Sequence, residues 1–257
     1  MDTKKKHQEQ IEAALNWLAK TKFSSAGLLQ EAAGRNRRGF VTQLKKLGLC
    51  VSRPMSGNVT IVGLSEKGAQ LAGVKKFDIH KVSDRSVNHH LTAQRELLWM
   101  VKNGYAAFDY EFEPQLCAND IRPDIQLTLT NGFAHNVEIE ISEKHIVRGE
   151  MDRFFSKIST YPTDVVFKSP RMMLLYIRHA IRYFKEGIPV WEKQNGVWCK
   201  TGRIECPSEF DWAKACFRLH LDDKEIQLAD LMIEVTLGKP LSSIKDLDGL
   251  NPNELGV

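Results

Sequence analysis

The chain has 257 residues, 42% hydrophobic and 26% charged, an ordinary composition for a soluble globular protein of one large domain or two small ones. No apolar run approaches the roughly 20 residues that a membrane-spanning helix needs, and "MDTKKKHQEQ" has no apolar core after its lysines, so neither a membrane partner nor a secretory signal is expected. The net charge of +4 is unevenly spread: residues 1–80 hold 14 Lys/Arg against 6 Asp/Glu and residues 81–257 hold 22 against 26, which predicts a basic first domain facing a polyanion and a mildly acidic second one.

In chain order, "KHQEQIEAALNWLAK" carries Ile11, Leu15 and Leu18 at helical spacing. "SSAGLLQEAAG" follows, with Ser24 or Ser25 to cap a second helix and Gly34 to stop it. "RNRRGFVTQLKKLGL" reads as a third helix, with Phe40, Leu44 and Leu47 inward and Arg35, Arg37, Arg38, Lys45 and Lys46 outward. "LCVSRP" and "NVTIVGL" flank a Pro54–Gly57 turn, and "SEKGAQLAG" closes with a short helix. Three helices and a hairpin make the order of a winged helix-turn-helix over residues 1–80. Its third helix would enter the major groove of double-stranded DNA, the five basic residues meeting phosphates or guanine edges. A solvated basic face on a protein-binding module is the plainer reading.

From residue 81 the pattern changes. "SVNHHLTAQRELLWMVKNG" is a helix, "AAFDYEFEP" a strand, and "RPDIQLTLT" and "AHNVEIEIS" two strands around an Asn131–Gly132 hairpin signal. "EKHIVRGEMDRFFSKISTY" is a helix, "TDVVFKS" a buried strand and "PRMMLLYIRHAIRYF" a helix again. The fold class is therefore α/β, the second domain (81–236) having the order αβββαβ with a mixed central sheet. Residues 237–257, rich in Gly, Pro, Asn and acids, read as a weakly ordered tail.

Strand interiors normally avoid Asp and Glu, yet "IRPDIQLTLTNGFAHNVEIEIS" carries Asp124, Glu138 and Glu140. Alternation puts the two glutamates on one face, and the hairpin brings Asp124 toward them. Three converging carboxylates repel unless a cation neutralises them, and oxygen-only donors suit Mg²⁺ or Mn²⁺. Such an ion beside a DNA-binding domain points to phosphodiester chemistry. The alternative is a solvated sheet face, on which Glu is common.

Pro123-Asp124, a hairpin and Glu138-x-Glu140 resemble the PD-(D/E)XK nuclease motif, on the αβββαβ order of that superfamily, with Glu140 where Lys is usual. The resemblance implies a restriction-endonuclease-like domain in which Asp124, Glu138 and Glu140 are catalytic and metal-binding. It offers Lys144 as a stand-in for the missing lysine and Glu96, on the preceding helix, as a further metal ligand. Over residues 10–185 the winged-helix pattern, "NHHLTAQRELL", "IRPD" and "VEIEIS" are similar to the plasmid replication-relaxation proteins, and within them to the MobC-type mobilisation relaxases. That implies a Mg²⁺- or Mn²⁺-dependent endonuclease nicking one strand of plasmid DNA at a transfer origin, in the company of a relaxosome accessory protein. The alternatives are a non-catalytic relaxosome accessory or replication regulator, or an enzyme cutting both strands.

Other constellations are weaker. The relaxases known for covalent tyrosine chemistry need a His-x-His site, whereas His89 and His90 are adjacent, so water is the expected nucleophile. Cys199, Cys206, Cys216 and His220 fit no common zinc spacing. An odd five cysteines with no CxxC suit free thiols in a reducing cytoplasm. "IPVWEKQNGVWCKTGRIECP" reads as a second hairpin, rich in Trp and Lys, that extends the sheet or touches DNA, sheet packing being the preferred reading.

Overall fold

The computed structural model describes residues 3–35, 39–105, 107–113, 122–142, 149–158, 161–204, 215–222, 224–239 and 241–244. The protein is mixed α/β and divides into two compact units, Met1–Tyr105 and Ala106–Val257.

In the first unit, α1 (Thr3–Thr21) turns Ile11, Ala14, Leu15, Trp17 and Leu18 inward. The three-residue β1 (Phe23–Ser25) leads into α2 (Ala26–Ala32), whose cap is the Ser25 hydroxyl accepting from the Leu28 N–H. The short α3 (Phe40–Lys46) buries Phe40 and Leu44. β2 (Cys50–Pro54) and β3 (Thr60–Leu64) form the expected hairpin, and β1 pairs with β3 to make an antiparallel sheet of order β1-β3-β2. α4 (Glu66–Leu71) crosses so closely that a Cβ on Gly68 would lie 2.1 Å from the Leu49 carbonyl oxygen.

The connecting segment after α4 is fastened by Arg53, whose guanidinium donates to the carbonyls of Ile79, His80 and Val82 at 2.8–2.9 Å. α5 (Asp84–Lys102), capped by Ser83, then returns to the same core. Its Val87 and Leu91 pack with Phe23, Leu28, Ile61 and Ile79, and the Gln94 amide donates to the Phe23 carbonyl at 2.6 Å. His90 is buried against Phe23 and bonds the Thr21 carbonyl. The division between units thus falls after α5, not near residue 80 where the charge pattern changes.

The second unit is built on a six-stranded sheet. β4 (Ala107–Phe112), β5 (Ile125–Leu129) and β6 (Ala134–Glu140) are antiparallel neighbours, with a register shift between Ala107 and Asp109. α6 (Glu150–Ile158) then carries the chain to β7 (Thr163–Phe167), which lies parallel to β6. α7 (Pro170–Glu186) follows, and after it the hairpin β8 (Ile188–Gln194) and β9 (Val197–Ile204). β10 (Ala215–Leu219) is parallel to β7, and β11 (Glu225–Gln227) closes the edge before α8 (Leu228–Thr236). The order β11-β10-β7-β6-β5-β4 is mixed, as the sequence indicated.

The main core lies between this sheet and helices α6, α7 and α8: Phe154, Phe155, Tyr176, Phe167 and Phe217 stack edge-on around Val165 and Ala215. Two expectations change here. β8–β9 does not extend the central sheet; it is a separate pair held to α6, where the Asp152 carboxylate accepts from Trp191 Nε1 at 2.8 Å and from the Tyr183 hydroxyl. The tail is not weakly ordered from residue 237, because Leu241 and Ile244 enter the core; residues 245–257 lie outside the described residues. Among the described residues no helix is long and apolar enough to cross a membrane.

Because α5 completes the first core, a fragment of residues 1–105 is expected to unfold cooperatively on heating. A fragment of residues 1–80 leaves Phe23, Leu28, Ile61 and Ile79 without Val87 and Leu91 and is expected to lose that transition, as circular dichroism melts would report.

Candidate functional site

β6 decides the chemistry of the second unit because it is buried on both faces. Val137 and Ile139 point one way; Glu138 (5% exposed) and Glu140 (4%) point the other, under α6 and α7. The glutamates are therefore not a solvated sheet face. Burying a carboxylate without compensation is costly, and each has a partner. Glu138 Oε1 lies 2.5 Å from Lys157 Nζ on α6. Glu140 Oε2 accepts from the Tyr176 hydroxyl on α7 at 2.9 Å.

Asp124 arrives from the antiparallel partner. Ile125 is opposite Val137, so Asp124, one residue earlier, comes level with Glu138. Its carboxylate accepts from the Ile139 N–H at 2.6 Å, which fixes the acid against β6. Lys157 closes the group from the other side by donating to the Arg122 carbonyl at 2.6 Å. A cavity of about 260 Å³ adjoins these residues, lined by Glu138, Glu150, Arg153, Phe154 and Lys157.

The electrostatics show a site short of positive charge. Burial, then the Asp124 charge, pushes the Glu138 carboxyl up to about 8, and the Lys157 ammonium only partly opposes this. Asp124 and Glu138 carry hard oxygen donors, and Mg²⁺ is commonly held by one or two carboxylates with waters completing its shell. The pair fits such an ion better than the expected trio does. Glu140 is committed to Tyr176, and among the described residues no three His, Cys, Asp or Glu are grouped to hold a metal. Glu96 is fully buried on α5, in the first unit, and Lys144 lies outside the described residues.

Lys157 is the site residue that sequence reading missed. It lies 19 residues beyond Glu138 in a helix whose apolar stripe (Met151, Phe154, Phe155, Ile158) draws the eye. The available signal was weak: a single lysine one residue before the end of that stripe, on a helix docking over two acids.

Of the basic residues expected on DNA, Arg35 stacks over Phe40 at 5.2 Å and donates to Gln43 Oε1 at 3.5 Å, while Lys45 and Lys46 are exposed on the last turn of α3. Lys45 Nζ also donates to Ser52 Oγ at 2.9 Å. Arg37 and Arg38 lie outside the described residues. Cys199 is on β9, and Cys216 is on β10 with its thiol directed at Glu225; Cys206 lies outside the described residues. No family model, curated protein or solved structure matches the chain.

Lys157→Met is expected to leave Glu138 buried without its cation. The folded-state pKa of Glu138 is already above its ordinary 4.5, so its charged form costs stability from about pH 4.5 upward, and the full cost is reached above about 8. Losing Lys157 pushes that carboxyl higher still, so parent and variant should follow the same trend up to about pH 8, and the variant should lose up to about 1.4 kcal/mol more per pH unit above it. Urea unfolding across that range checks both the size and the direction of the trend.

Proposed function

We propose that this chain is a DNA-binding protein with a phosphodiester-cleaving centre: a metal-dependent endonuclease that nicks one strand of plasmid DNA at a transfer origin. One observation carries the reading. Asp124 and Glu138 are brought level on adjacent strands, with a lysine ammonium against them, in a unit whose order β4-β5-β6-α6-β7 follows a helix. That order and Pro123-Asp124 with Glu138-x-Glu140 support a PD-(D/E)XK nuclease-like domain. The helices, β1 and the β2–β3 hairpin of the first unit support a winged helix-turn-helix. The transfer origin as substrate, and a relaxosome accessory protein as partner, rest on the resemblance to MobC-type mobilisation relaxases.

In this reading Arg35, Arg37, Arg38, Lys45 and Lys46 meet duplex phosphates and bases, and Asp124 and Glu138 hold Mg²⁺ or Mn²⁺. Such an ion, when bound, neutralises charge on the scissile phosphate and acidifies a water. Lys157 does what a lysine two residues after Glu138 would do in the usual motif. An ammonium has three donors; the Arg122 carbonyl takes one and the Glu138 carboxylate pairs with the charge, so a substrate oxygen or the attacking water can be served by the same group. Tyr176 donates to Glu140 and holds it in place.

A second reading, a non-catalytic relaxosome accessory or replication regulator, is favoured by one observation: every carboxylate of the site is already answered by a protein donor.

Supercoiled plasmid bearing the cognate origin separates the two. The enzyme converts it to open circle with Mg²⁺ or Mn²⁺ and stops on chelation. Asp124→Asn and Glu138→Gln are each expected to slow nicking by at least about a hundredfold while metal-free DNA binding persists. Wild-type nicking by Asp124→Asn sinks the nuclease reading. Tight binding with no nicking under any divalent cation establishes the regulator.

A further inference from the structure

The first unit contains a cavity of about 630 Å³ lined by the opening turns of α1, by Gly34 and Arg35 just after α2, and by Gln43 of α3. Four of its lining residues are basic or imidazole side chains, Lys4, Lys6, His7 and Arg35, and two more are the amides Gln10 and Gln43. No carboxylate lines it among the described residues. Every side chain named is a hydrogen-bond donor or can become one.

These groups are held in place. Gln43 bridges the two walls: its side-chain nitrogen lies 2.8 Å from His7 Nε2, and its Oε1 accepts from Arg35 at 3.5 Å. Gln10 donates to the Gly34 carbonyl at 3.0 Å, tying α1 to the turn a second time. Arg35 is pinned flat over the Phe40 ring, and its buried Nε has no hydrogen-bond partner.

We propose that this pocket is a phosphate seat and that, on duplex DNA, it takes one phosphodiester of the backbone. The proposal rests on the reading of the first unit as DNA-binding. Arg35 is then a clamp that sets the register of the protein on the duplex, not a reader of bases.

The test uses the full chain and the double variant Lys4→Gln/Lys6→Gln, whose side chains lie on an exposed helical turn. Binding to a labelled duplex is measured across a salt series. One shared phosphate predicts that the slope of log K against log salt falls by about 0.9. An unchanged slope overturns the proposal. A fall near 1.8 also overturns it, because the lysines then act as two separate surface contacts. In a second arm, inorganic phosphate is titrated and amide signals of Gly34, Arg35 and Gln43 are followed. They should shift in the parent and stay still in the variant; no shift in the parent overturns the seat. Phosphate shifts with an unchanged slope assign the seat to a free phosphate-bearing ligand and overturn the duplex assignment. If the parent answers phosphate but binds no duplex, the DNA-binding reading fails and the duplex assignment with it, while the shifts keep that failure apart from a failure of the seat.

Discussion

The contact on which the second unit depends is that between Lys157 and Glu138. A glutamate in the centre of a sheet, 5% exposed, is tolerable only if a cation or a proton accompanies it. Lys157 supplies the cation from α6, the helix that carries the chain from β6 to the parallel β7. The position of that crossover is thus tied to the charge of the sheet it covers. Glu140 is answered from α7 by a neutral donor, the Tyr176 hydroxyl. On the opposite face Asp164, on β7, faces His135 at 2.9 Å and the fully buried Arg218 at 3.7 Å. Both faces of the sheet therefore hold an acid matched to a base from another element, and helix docking is specified by charge as well as by apolar fit. A buried pair of this kind contributes less to net stability than to specificity, since an apolar pair of equal volume often does as well or better.

Much of this arrangement could be read from the chain. The alternation of Val137, Ile139 and Glu138, Glu140, the Asn131–Gly132 turn and the apolar stripe of α6 are local patterns, and local patterns survive without tertiary knowledge. What could not be read was the pairing of elements. Glu on a strand is as common on a wet face as under a helix, and only the docking of α6 and α7 distinguishes the two. Lys157 was illegible for the same reason: its partner lies across a crossover, where no fixed spacing applies. β1 is three residues long, too short to show a period, and it became a strand because β3 offered an edge. α5 was assigned to the wrong side of a charge boundary because charge is a surface property, whereas Val87 and Leu91 belong by packing to the first core.

The two units handle their charges differently. In the first, Arg53 donates to three carbonyls that hold the segment after α4 in place. Lys45 and Lys46 remain exposed at the C-terminal end of α3, where the helix dipole favours cations. In the second unit the acids are inside and need internal partners, so a substitution there acts on folding and on the site together. A loss of activity there needs a stability measurement beside it.

The same residue types do a different job at the rim of the central sheet. β4 has β5 on one side and, among the described residues, no strand on the other. An open edge of that kind is a template for another chain. Asp109 and Glu111 sit on it, exposed, next to the irregularity between Ala107 and Asp109, and the far edge ends in the three-residue β11. Negative side chains, a kink and a short terminal strand are recognised barriers to edge-to-edge growth. Two molecules meeting at β4 would bring like charges together before any ladder bond could form. Self-association by sheet extension at β4 is thereby disfavoured.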